Sequence, residues 1–379
     1  MLTVEQSKEL IARGFSRRNF GRLATMIAAG STLPFANEQA LAQLSMIKGG
    51  VPADAVKIDA NENPMGPCPE ALEGIHKMAA NGGRYLYQET FDMTETLAEQ
   101  EGVKATYVRA YPGSSAPLHH AVLAFTSPTK PYVMADPGYE QGAGAAKFIG
   151  AKTIRVPLAK DYSHDVKAMV AASPDSGLIY ICNPNNPTGS ITKRSDIEWL
   201  VANKPKGCVV MIDEAYYHLA GISPYTDMVA ADKDVIVLRT FSKIYGMAGI
   251  RAGAAIARPD LLKKMGAYMV GALPTTAMAA ANASLKVKTL VPERREKIKI
   301  IREDTMAFLD KHGYKTVPSV SNKFMVDTKR PADDVINAMR KEKVYIGRKW
   351  PVWPTSVRVT VGTSDEMAKF KAAFLKVMA

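Results

Sequence analysis

Through the middle of the chain, short apolar runs recur at 132–134, 153–156, 178–182, 208–212, 235–238 and 252–257, mostly without polar alternation. A strand that is apolar on both sides has to be covered on both sides. The fold that does this is a mainly parallel sheet with helices on either face, an α/β architecture. Helical patterns separate the runs and carry their own start signals. Ser195-x-x-Glu198 reads as a capping box ahead of Ile197, Leu200 and Val201. After about residue 284 the style changes. A charged helical stretch at 286–302 leads to strands near 323–327 and 356–361, and a last helix opens at Thr363-x-x-Glu366 with Met367, Phe370 and Phe374 on one stripe. With 379 residues the chain exceeds one small core, so two domains are expected.

The first 42 residues read as an address rather than as part of the fold. Ser16-Arg17-Arg18-Asn19-Phe20-Gly21-Arg22 is followed by a mildly apolar stretch at 23–36 and by Ala40-Leu41-Ala42, an A-x-A cleavage pattern. The order resembles a twin-arginine export signal. The stretch is shorter than the roughly 20 residues of a spanning helix, so no membrane insertion of the mature chain is expected. A periplasmic or exported protein beginning near Gln43 is the leading reading. The alternative is a cytoplasmic protein whose N-terminal arm packs on a neighbouring subunit.

Composition narrows the chemistry. Hydrophobic content of 47% with 23% charged residues excludes wholesale disorder. The net charge of +12 is scattered rather than gathered into a basic arm, which favours a small anionic cofactor or substrate over nucleic acid. Cys68, Cys182 and Cys208 form no CxxC pair, and the six histidines form no HExxH pair, so neither a disulfide framework nor a metal is expected. The mixed-sign cluster Arg294-Arg295-Glu296-Lys297 reads as a solvated helix face.

Four motifs carry the chemistry, at the strand ends where open α/β sheets place their functional loops. Tyr111-Pro112-Gly113-Ser114-Ser115 leads into a helical pattern; glycine, hydroxyls and a helix N-terminus together suit a phosphate. Asn183-Pro184-Asn185-Asn186-Pro187-Thr188-Gly189 is a stiff, asparagine-rich turn after the run at 178–182. Asp213-Glu214-Ala215-Tyr216 puts a carboxylate at the end of a buried strand, where it needs a positive partner such as a protonated ring nitrogen. Thr240-Phe241-Ser242-Lys243, followed by Gly249-Ile250-Arg251-Ala252-Gly253, places a lysine beside a hydroxyl with an arginine close behind, a setting in which an amine can form an imine with an aldehyde. A phosphate, a ring nitrogen wanting an acid, a phenolic oxygen wanting Asn and Tyr, and an aldehyde wanting Lys describe pyridoxal 5′-phosphate.

With these motifs in hand, the chain resembles the fold-type I class I/II aminotransferases, and among them the histidinol-phosphate aminotransferase family. Further marks are Asn61-Glu62-Asn63-Pro64, Gly83-Arg84-Tyr85 and Val357-Arg358-Val359-Thr360-Val361-Gly362-Thr363. The resemblance implies a large domain (81–284) with a mainly parallel seven-stranded sheet, a smaller α+β domain (285–379), and an N-terminal arm with part of the small domain at 43–80. It implies that Lys243 holds the cofactor as an imine and moves the substrate's proton. Asp213 would pair with the ring nitrogen, Asn186 and Tyr216 would hold the phenolic oxygen, and Tyr139 would stack on the ring. The Gly113 turn, Ser114, Ser115, Ser242 and Arg251 would bind the phosphate, with Tyr85 reaching it from the second subunit of a homodimer. Asn63, Arg348 and Arg358 would meet the substrate.

Departures from the family pattern fall on the substrate side. Ala116-Pro117 stands where an acidic residue is usual, and Leu86 where proline is common. Trp350 and Trp353 read either as core or as a wall for an apolar or aromatic substrate. The expected activity is transfer of an amino group from an amino acid or amino-alcohol phosphate to a 2-oxo acid such as 2-oxoglutarate. The alternatives are a decarboxylase or lyase on the same scaffold, and a non-catalytic cofactor-binding protein.

Overall fold

A computed structural model describes residues 51–379 apart from Val270, together with Lys8, Ile11, Ala12, Gly14 and Phe15. The export-signal reading of 16–42 lies outside the described residues. The strands are β1 (Val56–Ile58), β2 (Val108–Tyr111), β3 (Tyr132–Asp136), β4 (Thr153–Pro157), β5 (Leu178–Cys182), β6 (Val209–Asp213), β7 (Val235–Thr240), β8 (Gly253–Ala257), β9 (Lys323–Asp327), β10 (Val344–Ile346) and β11 (Ser356–Thr360). Seven of them form one sheet in the order β2-β8-β7-β6-β5-β3-β4. β3 to β7 are paired parallel, whereas β8 runs antiparallel to both β7 and β2. Every residue of β5, β6, β7 and β8 is buried, as the unbroken apolar runs require.

Because β8 is reversed, its first residue rather than its last lies at the edge where the parallel strands end. Gly253 sits there opposite both Tyr111 and Thr240, and a Cβ on it would come within 2.6 Å of the Gly113 backbone and 2.7 Å of the Arg239 carbonyl. Only glycine lets the three chains pass so closely.

Outside the large sheet, β9 pairs antiparallel with β11, and β1 pairs parallel with β10. The final helix, Ser364–Met378, opens with the reciprocal capping box expected at Thr363 and Glu366, and buries Met367, Phe370 and Phe374. Two local expectations are corrected. The helix Arg194–Asn203 has Lys193 as its N-cap with no side-chain cap; Ser195 falls inside the first turn, and Glu198 instead takes Arg194 in an ion pair at 2.9 Å. The charged stretch at 286–302 is not one helix. Thr275–Lys286 ends at Val287, whose backbone is extended, and a new helix runs Leu290–Lys311.

One buried ion cluster fastens the strand ends from behind. Arg239 on β7 bonds both oxygens of Glu101 (2.9 and 2.7 Å), pairs with Glu214 beyond the end of β6, and lies 4.0 Å from the centre of the Tyr217 ring. Burial opposes ionisation of Glu101. Arg239, with help from His218 and Thr226, overcomes it and holds the carboxyl below the usual range. The depressed value means that this pair stabilises the fold fully above the ordinary glutamate range and loses its effect as pH falls through the folded value. Replacing Arg239 with Met strands two buried carboxylates and should cost about 3–5 kcal/mol in urea unfolding at neutral pH. It should also flatten the acid-side loss of stability; an unfolding midpoint equal to wild type would show that the cluster contributes nothing net.

Candidate active site

Loops leaving the carboxyl ends of β2, β3, β5, β6 and β7, joined by the segment entering β8, line one pocket. Its walls bring together Ser114, Ser115, Tyr139, Asn186, Asp213, Tyr216, Ser242, Lys243 and Arg251 from sequence-distant motifs.

One end is built for an anion. The helix Ser115–Phe125 begins at the pocket with Ser114 as N-cap, and the Ser114 side chain makes no capping bond. The first-turn N–H groups and the helix dipole therefore face the cavity as donors. Arg251, in left-handed backbone at φ 71°, donates to Ser242 Oγ (3.3 Å), the Ala248 carbonyl (2.8 Å) and the Pro112 carbonyl (3.3 Å). Its guanidinium rests against Gly113, where φ is 87° and a Cβ would lie 2.1 Å from Nη2. Ser242 Oγ also accepts from Thr240 Oγ1 at 2.9 Å.

The other end holds a carboxylate. Asp213 closes β6 in register with Cys182 and is buried. Tyr180 donates to its Oδ2 at 2.8 Å and the Ala215 N–H to its Oδ1 at 3.1 Å, which fixes the carboxylate in the pocket wall. Burial and the Asp213 charge push the Tyr180 phenol well up, so it stays protonated and donates. Burial likewise pushes the Cys182 thiol up to about 12, which makes it a neutral wall rather than a nucleophile.

Between the two ends stands a polar edge. Asn186 Oδ1 accepts from Arg358 Nη1 (3.1 Å) and Asn61 Nδ2 (3.5 Å), so its amide nitrogen is the donor it brings to the pocket. Asn61 Nδ2 also donates to the Tyr216 hydroxyl at 3.1 Å. Lys243 is buried on the loop after β7, with Nζ 5.9 Å from the Tyr216 ring centre. The carbonyl of the next residue, Ile244, accepts from Asn63 Nδ2 and Arg294 Nη1, both at 3.0 Å.

The remaining expected residues fall in different places. Arg358 is buried beside Asn186 and also donates to the Asp59 carbonyl. Arg348 is paired with Glu140 at 2.7 Å and stacks 4.2 Å from the Trp350 ring. Asn63 does not line the pocket: its amide is committed to the Ile244 carbonyl and the Met65 N–H, bracing the Lys243 loop from behind. Tyr85 is 69% exposed, stacked on Tyr87, and outside this pocket. Trp350 is fully buried and donates to the Gly138 carbonyl, while Trp353 meets Tyr162 edge to face at 5.8 Å. Two residues that touch Tyr216 were not singled out as site residues from sequence: Asn61, visible only as part of an Asn-Glu-Asn-Pro turn, and Lys323, which reads as an ordinary strand residue. Among the described residues, no group of three or more His, Cys, Asp or Glu side chains is placed to hold a metal.

The pocket fits pyridoxal 5′-phosphate. Hydroxyls and a guanidinium meet a helix start at one end, a buried carboxylate sits at the other, and a buried amine lines the same pocket. The comparisons agree with that geometry. The family model described as aminotransferase class I and II matches residues 53–374. A histidinol-phosphate aminotransferase of Moorella thermoacetica is 31% identical over 86% of this chain and 86% of its own length. An aromatic amino acid aminotransferase of Cutibacterium acnes is 31% identical over 83% of this chain and 90% of its own. The solved histidinol-phosphate aminotransferase of Sinorhizobium meliloti, in complex with pyridoxal-5′-phosphate, superposes with a TM-score of 0.82 at 25% identity, covering 92% of this chain and 95% of that one.

A direct test of the anion end is Gly113→Ala. The added methyl would displace the Arg251 guanidinium and strain a left-handed backbone, so pyridoxal 5′-phosphate should bind about tenfold or more weakly in titrations of the apoprotein. Unchanged affinity would mean that Arg251 and the phosphate do not meet there.

Proposed function

Since this chain belongs to the aminotransferase class I and II family, and within it to the histidinol-phosphate aminotransferase group, with pyridoxal 5′-phosphate as its cofactor, we propose that its donor is an amino acid or amino-alcohol phosphate with a favoured aromatic or imidazole side chain, and its acceptor a 2-oxo acid such as 2-oxoglutarate. The observation that carries this reading is the convergence of Lys243, Asp213 and the Arg251 cradle on one pocket, with Arg358 joined to it through Asn186.

The cofactor, when bound, supplies an aldehyde that takes up the donor's nitrogen and a cationic ring that draws off the electrons left when the α-proton departs. The protein does the rest. Lys243 Nζ carries the cofactor and moves the proton from the donor's α-carbon. Asp213 holds the proton on the ring nitrogen, and Tyr180 and the Ala215 N–H fix that carboxylate in place. Ser114, Ser115, Ser242 and Arg251 anchor the phosphate, while Asn186 and Tyr216 bond the phenolic oxygen and Tyr139 stacks on the ring. Arg358, held by Asn186 and the Asp59 carbonyl, offers its fork to the donor's carboxylate or phosphate. The aromatic preference is supported by Arg348: its charge is already met by Glu140, so it attracts a second anion weakly.

Two further parts of the reading are the homodimer and the export signal. Tyr85, Tyr87 and Phe91 are large aromatic side chains left exposed close together in sequence, which supports a partner surface there and a Tyr85 that reaches the partner's cofactor phosphate. The twin-arginine pattern at 16–42 supports export of the folded, cofactor-loaded protein, away from the cytoplasmic intermediates of histidine synthesis.

Given a single donor and no acceptor, the loaded protein should lose its visible band once per site and stop; 2-oxoglutarate should restore the band. A screen of phenylalanine, tyrosine, histidine and histidinol phosphate then ranks donors by the rate of that loss. Continuous turnover on donor alone would contradict transamination and point to decarboxylation or elimination. Protein purified from the periplasm should begin near Gln43 and sediment as a dimer; an intact N-terminus in the cytoplasm, or a monomer with full activity, would overturn those two readings.

A further inference from the structure

One titratable group packed against the pocket residue Tyr216 has no part in that scheme. Lys323 opens β9 and is fully buried, with its Nζ 3.1 Å from the centre of the Tyr216 ring and 2.9 Å from Ser321 Oγ, to which it donates. A lysine normally lays its stem along apolar surface and keeps its head in water. Here the head is enclosed, and its neighbours on β9 are core residues, Phe324, Met325 and Val326. Methionine or leucine would fill such a place without the cost of burying an amine. The face of a tyrosine ring is its electron-rich side, where an ammonium group is attracted. The same tyrosine turns its hydroxyl, already bonded by Asn61, toward the polar edge of the pocket.

We propose that Lys323 is a positioning residue for the cofactor's phenolic edge: its ammonium group, seated on the face of Tyr216, makes that phenol a stronger donor to the cofactor's phenolic oxygen and so lowers the pH at which the cofactor-bound nitrogen of Lys243 gives up its proton. The inference rests on the reading of Tyr216 as a partner of that oxygen. A cation on the ring stabilises the phenolate form, so the phenol becomes more acidic and donates more strongly. An oxygen whose charge is held by that bond retains the neighbouring proton less well.

The surroundings of the amine pull both ways. Burial pushes Lys323 well below the usual lysine range; the Cys182 sulfur opposes this, Arg358 and Lys243 add to it, and Asp213 opposes it. These four, with Tyr216, are the titratable or charged groups that face it, from β5, β11, the β7 loop and the β6 end, and Ser321 accepts from it in the segment just before β9. Cofactor binding brings a phosphate and a phenolic oxygen into the same pocket, and both favour the charged amine.

The test is a pH titration of the visible absorption of the loaded protein. In Lys323→Met the midpoint should move up by about 0.5–1 pH unit, and pyridoxal 5′-phosphate should bind roughly 3- to 10-fold more weakly. In a Tyr216→Phe background the same substitution should move the midpoint less than half as far. An unchanged midpoint in Lys323→Met would overturn the proposal, because the lysine would then only fill space. A shift of equal size in both backgrounds would also overturn it, because the charge would then act on Lys243 without the phenol. Lys323→Gln, which keeps a polar head for Ser321, should show the same upward shift should the methionine variant fail to fold. Failure of the aminotransferase reading looks different: the unmutated protein would then develop no visible band with pyridoxal 5′-phosphate at all.

Discussion

A parallel sheet covered on both faces has one edge where polar side chains can gather without breaking its ladder, and that is where the strands' carboxyl ends emerge. Asp213 and Lys243 are both placed by this constraint, one closing β6 and the other on the loop that leaves its parallel neighbour β7. The reversed strand β8 completes the arrangement by bringing its entry segment, and so Arg251, to the same edge. The close passage at Gly253 and Gly113 is what allows three backbones and a guanidinium to share that corner. Acid, amine and anion cradle thus converge at one sheet edge, where a single ligand can meet all three.

The charge pattern of the pocket says which ligands it favours. Lys243 and Arg251 line the pocket and Arg358 is joined to it through Asn186, against the carboxylate of Asp213 in the pocket wall. Such an excess of cation in low dielectric favours anions strongly: a phosphate at the Arg251 end and a carboxylate or phosphate at Arg358. The acidic residues nearby are engaged elsewhere. Glu101 and Glu214 neutralise Arg239 behind the strand ends, and Glu140 neutralises Arg348. The structure therefore separates cations that hold the fold from cations that face the ligand.

Much of this was legible in the sequence, and the remainder has identifiable causes. The six central runs became strands because burial on both faces writes a continuous apolar signal. Strands β1 and β10 escaped notice because three residues carry too little periodicity to stand out. Ser195 misled because a helix start is decided by backbone conformation as well as by residue type, and Lys193 is the residue with extended geometry. Lys243, Asp213, Asn186 and Arg251, which the structure brings to one pocket, were singled out because each lies in a compact motif at a strand end. Asn61 and Lys323 were not, because what places them is long-range: Asn61 is bonded by its backbone to Thr360, and Lys323 gains its meaning only from the ring of Tyr216. Asn63 is bonded to the Ile244 carbonyl on the Lys243 loop, a long-range contact that local sequence does not encode.

The account comes down to which amine carries the cofactor, and among the described residues two buried lysines are available, Lys243 and Lys323. Reducing the pyridoxal-phosphate-loaded protein with borohydride and mapping the labelled peptide decides it. The account predicts the label on Lys243 alone, within Thr240-Phe241-Ser242-Lys243. Label on Lys323, or none on Lys243, would contradict it.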